Sequence, residues 1–456
     1  MRDLKNLSHK KTASGFKFFG FGSQNKRIKP SGEPARPRLS HPAGKRLRQL
    51  KLTLLFIAII LALAPLSVLA LRQITSAGLH LRNWVASFTA VAPRPAVTVK
   101  SRFESASDLL ASAEVNGPRI SARTPEGMQH IYTIQGDLQQ RVYDYLAKYQ
   151  VPYGVFVAIE PASGRILGMT AYSSIDPGWA KRSMYELYPM ASLFKIITAS
   201  AALENHKITP ETVIEFRGNS YSENPRYWDI SPRGRNNRMD ATFAMGKSIN
   251  PVYGRVASDI AGKSSVMEYV SRFGFNQKLL PGIPAKPSQA GEPADNHGLR
   301  LMGAGLDHGV KISPLHAAVI MSAIANGGKM MVPGLTSSIV DEHGVEKETF
   351  TPHELRRLVT PETSASLTRM LSSTVLTGTS RKAFHDRRGR PLLDVKVAAK
   401  TGSIDGTDPK GHYSWFAAFA PIQNPRIALV ALIINSDKWK IKASQVGAEA
   451  LEEFFR

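Results

Sequence analysis

Two residues able to perform acyl chemistry stand three apart in the stretch from Met190 to Asn205, M-A-S-L-F-K-I-I-T-A-S-A-A-L-E-N: Ser192 and Lys195. After Ala191 the stretch has no Gly or Pro and is apolar nearly all round, the pattern of a helix buried in a large domain. Residues three apart on a helix share a face, with Cβ atoms roughly 5–6 Å apart, so the lysine amine can reach the serine hydroxyl. That is a nucleophile with a base beside it. A helix N-terminus adds free N–H groups for developing negative charge, and an apolar site pushes a lysine towards its neutral, proton-accepting form. The same Ser-x-x-Lys spacing recurs at Ser8, Ser14 and Ser23, in a basic tail that builds no pocket, so context must decide.

Two further motifs supply that context. Ser248-x-Asn250 lies 56 residues beyond Ser192, where the helical patterns Ala241 to Lys247 and Val252 to Ala261 meet. Lys400-Thr401-Gly402-Ser403 lies another 152 residues on, at the end of an expected strand from Val395 to Ala399. Ser-x-Asn alone is weak, since Ser23 and Ser222 begin the same pattern, whereas Lys-Thr-Gly occurs once.

The elements that must hold these residues read as α+β, an antiparallel sheet packed by helices. Tyr153 to Glu160 and Arg165 to Tyr172 are β-rich runs around Pro161-Ala162-Ser163-Gly164, a hairpin. Tyr413 to Ala420 and Ile427 to Ile434 add strands near the other end, and Ala443 to Phe455 closes the chain as an amphipathic helix. Leu138, Val142, Tyr145, Leu146 and Tyr149 recur at helical spacing after an Asp137/Gln140 capping-box-like start. Residues 281 to 296 are a Pro/Gly-rich loop, and Ser313-Pro314 opens a helix that stops at Asn326-Gly327-Gly328.

The 456 residues carry a net charge of +23, and the first 51 supply 14 Lys/Arg against Asp3 and Glu33, about half the excess. This Ser/Gly/Pro-rich tail reads as disordered, suited to the anionic inner leaflet rather than to nucleic acid. Leu52 to Leu71 follows, twenty residues without a charge, the length of one membrane-spanning helix. The density of positive charge before it puts residues 1–51 in the cytoplasm and everything after about 72 outside. A cleaved signal peptide would have a short leader and an apolar core of roughly 7–15 residues, so an uncleaved anchor is expected. With no cysteine, disulfides, Cys–zinc sites and thiol catalysis are excluded. The expected organisation is tail 1–51, anchor 52–71, linker 72–128 and one catalytic domain 129–456, with a short helix at Ala106 to Glu114 in the linker.

The ordered set S-x-x-K, S-x-N, K-T-G is similar to the penicillin-binding protein transpeptidases and serine β-lactamases. Y-T-I-Q-G-D-L-Q-Q from Tyr132, I-E-P-A-S-G-R-I-L-G-M from Ile159, S-P-L-H-A-A at Ser313, A-N-G-G at Ala325, G-T-S at Gly378 and W-F-A-A-F-A-P at Trp415 extend the likeness to the penicillin-binding transpeptidase domain. The resemblance implies that Ser192 attacks a D-alanyl-D-alanine stem peptide, with Lys195 as base. It implies that Ser248 passes a proton to the leaving amine and that Asn250 bonds Lys195 or the substrate amide. Lys400 would draw the substrate carboxylate, the strand at Thr401, Gly402 and Ser403 would pair with substrate, and the N–H groups of Ser192 and Ser403 would form the oxyanion hole.

No metal or cofactor is implied. The implied partners are peptidoglycan stem peptides, β-lactams as inhibitors and a separate glycosyltransferase, since neither a glycosyltransferase domain nor a long pedestal fits in residues 73–128. The implied setting is a bacterial inner membrane with the catalytic domain outside it. Ser403 stands where many members have Thr. Segment 215–240, with Tyr227, Trp228, Arg233, Arg235 and Arg238, matches no motif and reads as a solvated loop or an insertion near the groove, the loop being the simpler. Other readings are a carboxypeptidase, a β-lactamase or β-lactam sensor, and a non-catalytic scaffold. The intact motif set speaks against the scaffold.

Overall fold

The computed structural model describes residues 101–456 apart from 117, 118, 281, 437 and 438. The expected tail and membrane helix therefore lie outside the described residues. Among those described, no helix is long and apolar enough to cross a membrane.

Five antiparallel strands form the central sheet: β1 (Tyr153–Ile159), β2 (Ile166–Tyr172), β3 (Ala398–Thr407), β4 (Lys410–Ala420) and β5 (Ile427–Asn435). Their spatial order is β3-β4-β5-β1-β2, so the last strands of the chain lie beside the first and β3 forms an edge. The two-residue period sorts the side chains. Val155, Val157, Trp415, Ala417, Val430 and Leu432 enter one apolar core, and Phe156, Ala158, Phe416, Ala418, Leu429 and Ala431 enter the other.

Two helices cover the second face, α1 (Gly136–Lys148) and α8 (Ala443–Phe455), through Leu138, Val142 and Leu146 and through Val446, Ala450 and Leu451. The first face carries the chemistry. Its helices are α2 (Lys195–Glu204), α3 (Ala241–Lys247), α4 (Asn250–Arg255), α5 (Asn296–Ala304), α6 (Pro314–Ala325) and α7 (Pro361–Leu376). Residues Ala191–Phe194 form a 3₁₀ turn leading into α2, where the sequence suggested one continuous helix. Helix α6 is buried almost all round. Its His316 is held by the Ser288 hydroxyl at Nδ1 (2.6 Å) and the Phe273 carbonyl at Nε2 (2.9 Å), and burial pushes its pKa down to about 4.

Three local expectations are corrected. Helix α1 starts from Gln135 without a side-chain cap, so Asp137 and Gln140 build no capping box. The strand placed at Val395 to Ala399 instead begins at Ala398 and continues through Lys400-Thr401-Gly402-Ser403 to Thr407. A glycine weakened the strand reading there, but ten cross-strand pairs from Ala398↔Phe419 to Thr407↔Lys410 impose it.

Residues 101–128, read as linker, are built into the fold. Arg102–Leu109 is a helix, and Glu114–Asn116, Arg119–Arg123 and Gln129–Tyr132 join Thr336–Val340 and Glu346–Thr349 in a second antiparallel sheet. The signal is weak locally, because the strands are three to five residues long and the sheet is completed only where Gln129–Tyr132 pairs with Thr336–Val340, about 200 positions away. Ala106, Ile120 and Ala122 are buried, and the Tyr132 hydroxyl donates to the Ala106 carbonyl at 2.7 Å. A chain starting at residue 129 loses those contacts, roughly 3 kcal/mol from apolar area and one orphaned hydroxyl. Thermal unfolding should find its Tm lower than that of a chain starting at 101 by about 5 °C or more. An equal Tm would return 101–128 to linker status.

Candidate active site

The three motifs come from three elements and meet on the first face of the sheet. Ser192 lies in the 3₁₀ turn, and Lys195 opens α2 with its side chain fully buried. The Lys195 Nζ donates to Ser192 Oγ at 2.7 Å, to Asn250 Oδ1 at 2.9 Å and to the Ala304 carbonyl at the end of α5. All three partners are neutral. Burial therefore dominates and, seconded by the charge of Lys400, drives the Lys195 pKa well below the usual lysine value.

Ser248 and Asn250 flank Ile249 between α3 and α4. Ser248 ends α3 in the left-handed conformation (φ 58°, ψ 43°), a strained choice for a residue with a side chain. Ser248 presents its hydroxyl to Lys400, and Asn250 presents its side-chain oxygen to Lys195. The Lys400 Nζ donates to Ser248 Oγ at 2.8 Å and to the Thr401 carbonyl at 2.8 Å. Lys400 is also fully buried, and desolvation lowers its pKa to about 7. The charge of Lys400 acts on Lys195, which couples the pair Ser248–Lys400 to the pair Ser192–Lys195.

Close backbone approach fixes the nucleophile. Ala191 has φ +53°, another left-handed non-glycine residue. Gly305 (φ +73°) lies against this turn so tightly that a Cβ there would stand 2.2 Å from the Ala191 carbonyl oxygen. From the other side a Cβ at Gly402 would be 3.4 Å from the Ser192 amide nitrogen. Strand β3 therefore runs beside the Ser192 N–H, with Thr401 partly exposed, Gly402 buried and Ser403 exposed.

Sequence reasoning missed four contributors. The Ala304 carbonyl and Gly305 belong to no serine or lysine motif and are found only through packing. Thr379, inside the G-T-S match but without a role, bonds the Thr401 hydroxyl through its own at 2.6 Å, and its N–H donates to the Gly246 carbonyl at 3.0 Å. Segment 215–240 is not merely a solvated loop. Val213–Phe216 pairs with Asn237–Asp240, Trp228 is fully buried against Gly254, and Arg300 bonds Asp229 at 2.6 Å. The Asn250 N–H donates to the Ser220 carbonyl at 3.0 Å, and its side-chain amide lies 3.4 Å from the carbonyls of Tyr221 and Ser222. Tyr227, Arg233, Arg235 and Arg238 are exposed, as a solvated loop would have them. Trp228 was the available signal, a large apolar residue with no amphipathic pattern to assign it.

Chemically, the arrangement offers a serine nucleophile, a buried amine held neutral beside it and a second hydroxyl–amine pair. Comparison with known proteins agrees. Residues 154–455 match the model of the penicillin binding protein transpeptidase domain. The peptidoglycan D,D-transpeptidase PbpA of Mycobacterium tuberculosis is 28% identical over 352 residues, 69% of each chain. Stage V sporulation protein D of Bacillus subtilis is 26% identical over 66% of this chain and 48% of its own. Among solved structures, the ceftriaxone acyl-enzyme complex of penicillin-binding protein A from M. tuberculosis superposes with TM-score 0.58 at 26% identity, covering 71% of this chain and 79% of that one. The D,D-transpeptidase domain of a peptidoglycan glycosyltransferase from Eggerthella lenta shares the fold, with TM-score 0.60 at 23% identity over 71% of this chain and 82% of that one.

The electrostatics set a pH profile. Lys400 carries its proton below about pH 7 and loses it above, so attraction for an acylating agent's carboxylate should fade as pH rises through that value. The second-order rate of Ser192 acylation by a carboxylate-bearing β-lactam should show an alkaline limb near 7. In Lys400→Arg, whose guanidinium stays charged, the limb should vanish. An unchanged limb in a folded variant would mean that another group titrates.

Proposed function

The chain belongs to the penicillin-binding protein transpeptidase family, and from that premise we propose that it is a serine D,D-transpeptidase that cross-links peptidoglycan stem peptides. Ser192 Oγ attacks the carbonyl between the two terminal D-alanines while Lys195 accepts its proton. Ser248, backed by Lys400, returns a proton to the leaving amine, and D-alanine departs from an acyl-enzyme. The amine of a second stem peptide then attacks the ester carbonyl, forms the new peptide bond and frees Ser192.

Asn250 orients Lys195. Thr401 and Ser403, with the charge of Lys400, take the substrate carboxylate, and the free edge of β3 at Gly402 pairs with the extended peptide. The N–H groups of Ser192 and Ser403 serve the oxyanion. β-Lactams acylate the same serine.

The observation carrying this reading is the 2.7 Å contact of Ser192 with a lysine that is fully buried and surrounded by neutral acceptors. Intact-mass time courses of the full chain in detergent with penicillin test it. A long-lived adduct that disappears in Ser192→Ala is expected. An adduct persisting in that variant, or none on the wild type, would overturn the assignment, and one that forms and clears quickly would make the protein a β-lactamase.

For its place in the cell, we propose that residues 52–71 anchor the chain in the cytoplasmic membrane, with residues 1–51 on the cytoplasmic side and everything after about 72 outside. A separate glycosyltransferase then supplies the glycan. The charge-free run flanked by Lys51 and Arg72 supports this. Deleting residues 1–72 should release the protein from membranes washed at alkaline pH. Continued retention would argue for another attachment.

A further inference from the structure

Helix α7 ends at Leu376 and strand β3 begins at Ala398, and a cavity of about 630 Å³ is lined by the end of that helix, by the chain leading into that strand and by Ile422 after β4. Its floor is apolar. Phe384, Val397 and Val375 are 2%, 4% and 6% exposed, and Phe384 stacks on Phe416 of β4 with ring centroids 5.7 Å apart. Leu393 and Val395 add to the lining. Leu376, on the wall, and Leu392, whose N–H donates to the Phe384 carbonyl at 3.0 Å, are 55% and 58% exposed. Large apolar side chains left in water beside an apolar cavity mark a place where something binds.

The chain around this cavity is strongly basic. Residues 381–396 hold six Lys/Arg against Asp386 and Asp394. Arg390 takes Asp386 at 2.8 Å, whereas Arg381, Lys382, Arg387, Arg388 and Lys396 are exposed and pair with no carboxylate among the described residues. Arg387 and Arg388 stand in the turn that joins His385 to Pro391, two residues that bridge to each other and line the cavity. Asp394 is the one carboxylate on the lining, and the free cations outnumber it.

An occupant suited to both features is apolar along its body and anionic at one end. Residues 1–100 of this chain carry 18 Lys/Arg against two acids, and a second copy brings the same cations, so charge rejects both. The volume falls within the roughly 300–1,000 Å³ of sites for small molecules. We propose that the cavity holds an acyl chain of an anionic phospholipid, with the phosphate met by Arg387, Arg388 and Lys396. The membrane anchor proposed above puts such lipid within reach. Leu376 precedes Thr379 by three residues and Val397 precedes Lys400 by three, so the lipid chain lies between the two segments whose hydroxyls meet at Thr379 and Thr401.

The full chain in detergent micelles doped with phosphatidylglycerol or phosphatidylcholine, each bearing a photoactivatable diazirine on one acyl chain, tests the site; illumination, digestion and mass spectrometry locate the label. The phosphatidylglycerol probe should label residues 372–397 about tenfold more than the phosphatidylcholine probe, the worth of one charge-assisted contact. In Arg387→Ser/Arg388→Ser the two probes should label that segment equally. Leu376→Glu, which sets a carboxylate against the phosphate, should lose the phosphatidylglycerol label. Acylation of Ser192 by penicillin at the wild-type rate reports that each variant is folded. Equal labelling of the wild type by both probes, or a preference that survives in both variants, would overturn the proposal. Label displaced by a Glu/Leu-rich peptide but not by unlabelled phosphatidylglycerol would also overturn it, in favour of an acidic protein partner. A failed anchor is read separately, by the membrane wash, and leaves the micelle result as it is.

Discussion

The structure depends on keeping a lysine amine dry. Lys195 is fully buried, and every group that receives its protons is uncharged: a hydroxyl, a side-chain amide oxygen and a main-chain carbonyl. Such an environment penalises the ammonium form more than the amine, so the residue is held as a base. Each of the three acceptors belongs to a different segment, the turn before α2, the start of α4 and the end of α5. Satisfying one amine thus fixes three pieces of chain around it.

The rest of the first face can be followed outward from that amine. Gly305 fits only because the α5 end must touch the Ala191–Ser192 backbone. The end of α3 is locked to α7 in the same manner, since a Cβ at Gly378 would stand 2.1 Å from the Gly246 carbonyl and one at Gly246 would collide with Ser373. That contact also carries Thr379 to Thr401. A single packed surface thereby sets the distance between the Ser248 turn and the β3 edge, which is why residues in no motif matter to the geometry of those that are.

The chemistry was more legible in the sequence than its frame. Ser192 and Lys195 are brought together by local helical geometry, but the same spacing at Ser8, Ser14 and Ser23 left it to the surrounding motifs to single them out. Ser248, Asn250 and Lys400 needed the order of motifs, since nothing local says that a turn and a strand 152 residues apart meet. The frame was legible where apolar periodicity runs long, as in β1, β5, α1 and α8. It failed where very short strands depend on a sheet completed from afar: Arg119–Arg123 pairs with Glu114–Asn116 and Gln129–Tyr132, and only the last of these reaches Thr336–Val340. Trp228 failed similarly, because its partner is the bare backbone of Gly254, which has no side chain to announce a contact.

Among the described residues no carboxylate hydrogen-bonds Lys195 or Lys400, and this has consequences for both amines. A carboxylate beside Lys195 would restore its high pKa and remove the base, and one beside Lys400 would compete with the substrate carboxylate. Repulsion does the opposite on both counts. While Lys400 keeps its proton it lowers the proton affinity of Lys195, which is the division the proposed mechanism uses, one amine to accept a proton and the other to attract a carboxylate. In the proposed mechanism an incoming carboxylate would supply the missing negative charge and strengthen the proton on Lys400 as the serine loses its own. The hydrogen bonds of both amines go to neutral groups of the protein, Lys195 to Ser192, Asn250 and the Ala304 carbonyl and Lys400 to Ser248 and the Thr401 carbonyl, so the charge of a bound anion would not be met by a carboxylate already in place.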